Sequence, residues 1–167
     1  NLTNNKIYFK YLKIFKPSRE VSQMNIEEFL KSCEKLAKSK TGALFVIERN
    51  NSLDFIKNTG DNLYLEISSP IIESIFYKNS PLHDGAVIID GNFITATRVI
   101  LPVSENKNID SQLGLRHRAA FGITEKTDAI AIVISEEKGK ITFIKNGEIF
   151  AHKNSETLQT MIEAELV

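Results

Sequence analysis

Hydrophobic residues recur at spacings of three and four at Ile26, Phe29, Leu30, Cys33, Leu36 and Ala37, which predicts an amphipathic helix over residues 26–38. Asn25 stands in the N-cap position, and Glu28 completes the sequence pattern of a capping box. Thr41-Gly42 ends this helix. The pattern then changes to a short apolar, β-compatible run from Ala43 to Glu48, a turn at Asn50-Asn51-Ser52, and a short returning strand from Leu53 to Ile56. Ser69-Pro70 offers a cap and a first-turn proline for a helix over 71–77. Pro81 closes that region, and the Asp84-Gly85 turn feeds the run Ala86-Val87-Ile88-Ile89. Asp90-Gly91 is a hairpin signal, with Phe93 to Leu101 as the partner strand. A polar loop from Ser104 to Ser111 leads to a helix near 112–122. Ala129 to Ile134 is continuously apolar, as a strand buried on both faces is. Lys138-Gly139 and Asn146-Gly147 are turns around Ile141 to Ile144, a pattern for an antiparallel meander. Ser155 caps a final helix carrying Leu158, Met161, Ile162 and Leu166. The expected fold is α/β: one globular domain with a central mixed β-sheet flanked by helices.

Composition narrows the function classes. The chain has 167 residues, 42% of them hydrophobic, enough for one domain with a substantial core. Its 21 basic and 21 acidic residues balance, so no bulk electropositive field marks a nucleic-acid binder, and none is expected as a partner. One cysteine and three histidines exclude a disulfide framework and a closed Cys/His zinc site. Cys33 lies on the apolar helical face, where a buried thiol is expected, and the composition suits a reducing, cytosolic setting.

The first 20 residues differ from the rest. Lys6, Lys10, Lys13, Lys16 and Arg19 precede the first acid, Glu20, and interleave with Ile7, Tyr8, Phe9, Tyr11, Leu12, Ile14 and Phe15. Two readings stand: a segment just cytoplasmic of a membrane helix, or a short surface helix or arm. The chain begins with Asn rather than Met, so it is read as a piece of a longer one. No apolar run approaches the roughly 20 residues that cross a bilayer.

Three patches carry candidate chemistry. Asp84 sits at the mouth of a strand, in a turn opened by Gly85, where a missing Cβ lets backbone approach a ligand. Its carboxylate suits Mg²⁺ or Mn²⁺, or deprotonation of a sugar hydroxyl. His83 beside it is a candidate metal ligand, an orienting group, or a hydrogen-bonded structural histidine. Taken alone, an Asp-Gly turn is common. The second patch, Gly114-Leu115-Arg116-His117-Arg118-Ala119-Ala120, leads into a helix whose N-terminus and guanidinium groups suit phosphate. Residues two apart face differently on a regular helix, from which Arg116 and Arg118 could not both grip one phosphate. Either the triplet sits in the turn before the helix, or one Arg serves a neighbouring subunit or a structural carboxylate; Arg116 is the expected phosphate ligand. The third patch is Ser135-Glu136-Glu137 at the end of the buried strand, where ligands gather in α/β sheets. Its hydroxyl suits phosphate and one carboxylate suits a metal.

The wording of these patches resembles the diadenylate cyclase domain. Asn79-Ser80-Pro81-Leu82-His83-Asp84-Gly85-Ala86-Val87-Ile88-Ile89 and Leu115-Arg116-His117-Arg118-Ala119-Ala120 carry the resemblance. Thr41-Gly42-Ala43-Leu44, Ile47-Glu48-Arg49, Leu101-Pro102-Val103-Ser104, Gly122-Ile123-Thr124-Glu125, Val133-Ile134-Ser135-Glu136-Glu137 and Lys145-Asn146-Gly147 extend it in order from Lys40 to Val167. It implies a catalytic domain over 21–167 that condenses two ATP into cyclic di-AMP and two pyrophosphates at the face-to-face interface of two subunits. It implies catalytic roles for Asp84, Gly85, Ala86, Arg116, His117 and Arg118, and nucleotide contacts from Leu44, Leu101, Gly114, Leu115, Arg116, Ser135 and Glu136. The implied metal, Mg²⁺ or Mn²⁺, would meet His83, Asp84 and Glu137. The basic and aromatic start is similar to membrane-attached members, which implies a site at the cytoplasmic face of the cell membrane and attachment through a preceding segment. The chain departs from the family twice: Leu115 replaces a usual Thr or Ser, and Ile100 stands where some relatives carry an aromatic. A nucleotide sensor without turnover and a purely structural assembly domain are the rival readings.

Overall fold

The computed structural model describes residues 23–167; the basic and aromatic segment 1–20 lies outside the described residues. Seven strands form one mixed sheet in the order β2-β4-β3-β1-β5-β6-β7. They are β1 (Ala43–Ile47), β2 (Asp61–Glu66), β3 (Ala86–Asp90), β4 (Phe93–Val99), β5 (Ile130–Ile134), β6 (Ile141–Lys145) and β7 (Glu148–Phe150). Strands β1 and β3 run parallel, and the other neighbours are antiparallel. The helices are α1 (Ile26–Lys38), α2 (Asp54–Lys57), α3 (Ser69–Phe76), α4 (Leu115–Lys126) and α5 (Ser155–Glu165).

Alternation along the buried central strands builds two cores. Phe45, Ile47, Val87, Ile89 and Ile132 face one way and pack with residues of α1, α3 and α5, including Phe29, Ile72 and Ile162. Leu44, Val46, Ala86, Ile88 and Val133 face the other and pack with Leu53 and Ile56 of the α2 region and Ala120, Phe121 and Ile123 of α4. Both faces of β1 and β5 are covered, which is why they read as unbroken apolar runs. Phe45 makes edge-to-face contacts with Phe29 and Phe76, each at 5.0 Å, and so pins α1 and α3 to the sheet.

Several boundaries differ from expectation for local reasons. Residues 54–57 are helical rather than a strand, because Leu53 and Ile56, three apart, enter the same core while Glu48 Oε1 accepts the Leu53 N–H. Half of the expected capping box forms. Asn25 caps the Glu28 N–H, but the Glu28 carboxylate accepts from Ser69 N at 2.7 Å, and the Asn25 N–H goes to Asn92. Ser68 caps α3, and Asn154 rather than Ser155 caps α5. Helix α4 starts at Leu115, since Asp110 holds 110–113 in a turn through the Gln112 and Leu113 N–H groups. β4 ends at Val99, where Arg98 adopts φ 53° and the Ile100 N–H leaves the sheet for Thr59.

Candidate nucleotide site

Register brings the three sequence patches to one end of the sheet. Val99 pairs with Ala86, and Leu44 pairs with Val133. Phe45 lies beside Val87 in the parallel pair, so Leu44 is level with Ala86. Beyond this row lie Asp84-Gly85, Gly42, Ile100-Leu101 and Ser135, with α4 covering the same face. The parallel pair presents its N-terminal ends here, while β4 and β5 present their C-terminal ends.

Gly85 is required twice over. Its φ is +79°, and a Cβ there would lie 2.8 Å from the Arg98 carbonyl carbon and 2.9 Å from the Val99 oxygen. β4 meets that approach with a register shift between Ala86 and Ile88 and the positive φ of Arg98. Arg98 is held by a two-pronged bond to Asp61 at 2.6 and 2.8 Å, and this fork keeps the Asp61 carboxyl below its ordinary range. The tight crossing leaves the Asp84 side chain 83% exposed at the lip.

His83 Nδ1 lies 2.7 Å from the Ser80 carbonyl oxygen, and Nε2 lies 3.2 Å from Asp84 Oδ1. A carbonyl only accepts, so Nδ1 donates to it and Nε2 faces the Asp84 carboxylate. Among the described residues, no group of three His, Cys, Asp or Glu side chains gathers as a metal site. Glu137 is exposed on the turn after β5. His83 and Asp84 thus offer at most two protein ligands to a divalent cation, of which the exposed carboxylate is the oxygen donor that hard cations prefer.

Gly114 is the N-cap of α4 with no side-chain cap, so Leu115, Arg116 and His117 form the first turn with its N–H groups free of a capping side chain. The Arg116 guanidinium folds over Gly42, where a Cβ would come within 2.5 Å of Nη1. It also reaches Glu136 Oε2 at 3.5 Å. Arg118 lies one step further round the helix, and its carbonyl accepts from Ser104 N at 3.0 Å. His117 is buried against the sheet; burial chiefly, with the charges of Lys140 and Arg116, holds its imidazole below the ordinary 6.5. Ser135 lies half-buried in a turn, its N–H bonded to Lys140 O and its hydroxyl accepting from Lys138 N. Leu44 and Leu101 are nearly buried in the core below α4, so they shape a floor. Ile100 and Leu115, the two departures, stand 68% and 77% exposed at the rim.

Residues 30–149 match the family described as DisA bacterial checkpoint controller nucleotide-binding, DAC. The chain belongs to the DAC family. It is 43% identical over 149 residues to the cyclic di-AMP synthase CdaA of Bacillus subtilis, covering 89% of this chain and 55% of that one. The chain thus spans about half the length of such relatives. Among solved structures, a cysteine double mutant of DacA from Staphylococcus aureus superposes with a TM-score of 0.81 at 36% identity, over 84% of this chain and 93% of that one. A hypothetical membrane spanning protein from Bacillus cereus gives 0.76 at 36% identity, over 92% and 72%. Among the described residues of this DAC chain, no helix is long and apolar enough to cross a membrane.

Sequence reasoning missed the parts that hold the DAC site in shape. Gly42 read as a helix stop, whereas it makes room for the side chain of Arg116, far along the chain. Arg98 and Asp61 drew no notice because their pairing depends on a bulge. Gly122 hides in a motif; a Cβ there would lie 1.8 Å from the Pro102 oxygen.

Proposed function

We propose that this chain is the catalytic domain of a diadenylate cyclase, condensing two ATP into cyclic di-AMP and two pyrophosphates. The observation that carries this reading is the meeting of an exposed carboxylate, Asp84, with the arginine-bearing first turn of α4 and Ser135 at one sheet end. The Ser135 hydroxyl is tied to the Lys138 N–H rather than to a general base, and phosphoryl transfer asks for positioning and charge neutralisation rather than a protein nucleophile. Asp84 takes the proton of the 3′-hydroxyl as it attacks the α-phosphorus. Gly85 and Ala86 keep the strand mouth free of bulk. Arg116, Ser135 and the α4 N–H groups hold phosphate, Arg118 and His117 support the same turn, Glu136 aligns Arg116, and Leu44 and Leu101 floor the base site. A divalent cation, Mg²⁺ or Mn²⁺, held by His83, Asp84 and ATP phosphates, with Glu137 in reach of the same end, would neutralise phosphate charge.

A ring with two phosphodiester bonds needs two ATP in opposed orientation, and the chain carries one set of motifs. The active species is therefore a two-fold dimer with sites face to face. The resemblance to a protein described as membrane spanning, with the basic and aromatic sequence at the start of the chain, supports attachment at the cytoplasmic face of the membrane. Incubation with ATP and Mg²⁺ or Mn²⁺, followed by product separation across a range of enzyme concentrations, tests the reading. Cyclic di-AMP should form with a specific activity that rises until dimer saturates. ATP bound without turnover would make the domain a sensor, and no binding at all would leave a structural domain.

A further inference from the structure

Lys140 belongs to none of the patches above, yet it is built into one of them. Its carbonyl accepts the Ser135 N–H at 3.0 Å, while the Gly139 N–H donates to Ser135 O at 2.8 Å, closing the tight turn that presents the serine. Gly139 at φ +65° lies so near α1 that a Cβ would come within 2.4 Å of the Ala37 oxygen, so α1 backs the turn. Lys140 therefore leaves a braced turn at the same sheet end as the α4 first turn. Its charge is felt both by His117, in that first turn, and by His152 after β7. Register places it there as well: Ile141 and Ala43 both pair with Ile134, so Lys140 leaves the sheet beside Ser135 and Gly42, the glycine under the Arg116 guanidinium. Lys140 is exposed, and among the described residues no acid pairs with it; Glu136, the nearby carboxylate, is taken by Arg116.

We infer that Lys140 positions the terminal phosphates of the nucleotide and receives the pyrophosphate leaving group. The inference rests on the cyclase reading of the same site. As the O3′–Pα bond forms and the bond from Pα to the β-phosphate oxygen breaks, the electron pair goes to that oxygen and the O3′ proton to Asp84. The departing group gains charge, and Arg116 is already partly neutralised by Glu136. A flexible ammonium at the rim can follow the leaving group outward, which a guanidinium lodged over Gly42 cannot.

The test is titration calorimetry of the whole chain with inorganic pyrophosphate and, separately, AMP, on wild type, Lys140→Ala and Lys140→Arg. Neither probe needs turnover, so the result is independent of whether cyclic di-AMP is made. Lys140→Ala should weaken pyrophosphate binding about tenfold, as for one charge-assisted contact, leave AMP binding and the melting temperature unchanged, and be largely rescued by arginine. In the cyclase assay, pyrophosphate should inhibit Lys140→Ala more weakly than wild type. Equal loss for both probes, no loss for pyrophosphate, or no binding of pyrophosphate to wild type would each overturn the assignment.

Discussion

Gly122→Ala separates helix propensity from packing. Gly122 lies inside α4, where alanine would gain about 1 kcal/mol on propensity alone. The structure reverses that sign. The new Cβ would sit 1.8 Å from the Pro102 oxygen, 2.7 Å from its carbonyl carbon and 3.0 Å from Ser104 N. All three are backbone atoms, so α4 and the 102–104 loop must part by about 1 Å, an overpacking that costs about 1–3 kcal/mol. Parting them also strains the Ser104 N–H bond to Arg118 O at 3.0 Å and the Ser104 hydroxyl bond to Glu125 at 2.5 Å, each worth about 1 kcal/mol. With the propensity gain set against these, a net loss of about 2 kcal/mol is expected, or a fall of about 5 °C in Tm. Urea unfolding followed by circular dichroism measures it. Because the same loop carries Leu101, ATP affinity should fall as well. An unchanged or higher urea midpoint would refute the contact as the reason for glycine.

Four further outcomes are expected. Asp84→Asn should cut turnover by at least about a hundredfold, the scale of a lost general base, with stability unchanged because the side chain is exposed; near-normal rates would remove it from the chemistry. Gly42→Ala should leave the unfolding free energy from urea titration within about 0.5 kcal/mol, since the Arg116 tip can swing away, while raising the KM for ATP; an unchanged KM would free Arg116 from that role. Leu115→Thr should tighten ATP binding by about 0.5–1.5 kcal/mol, since the exposed leucine gives up little packing; weaker binding in calorimetry would show a site adapted to leucine. The folded-state lowering of His117 means that its neutral form contributes stability fully present above the ordinary 6.5 and lost as pH falls through the lower folded value. His117→Gln should therefore flatten the acid side of the Tm–pH profile below about pH 6.5, leaving the same-sign effect of His152; identical profiles would contradict it.

What could be read from the chain depended on whether burial or geometry set the pattern. The α1 helix and the central strands were legible because a sheet covered on both faces demands apolar residues continuously, and an outer helix demands them every three or four. Strand β2 was not seen, since Asp61–Glu66 is an edge strand with mostly exposed side chains and no two-residue contrast. Residues 53–56 read as a strand because so short an apolar run does not separate the two periods; the three-residue spacing of Leu53 and Ile56, which a strand would turn to opposite faces, belongs to a helical turn entering one core. The Asp-Gly-Ala and Arg-His-Arg segments were visible through resemblance, and register joins them at one sheet end. Gly42, Gly122, Asp61 and Arg98 stayed hidden because their roles are contacts across long sequence separations.

The most direct measurement follows α-labelled ATP into cyclic di-AMP, with released pyrophosphate counted in a separate coupled assay, for wild type, Asp84→Asn, and equal mixtures of the two, at enzyme concentrations spanning the dimer dissociation constant. Wild type should yield one cyclic di-AMP for every two pyrophosphates. Asp84→Asn should bind ATP and yield neither, and the mixture should fall below half of the wild-type rate, because both hydroxyls of one dimer must be activated. Cyclic di-AMP formed at a specific activity that stays flat well below the dimer dissociation constant, or from Asp84→Asn alone, would contradict the two-subunit cyclase.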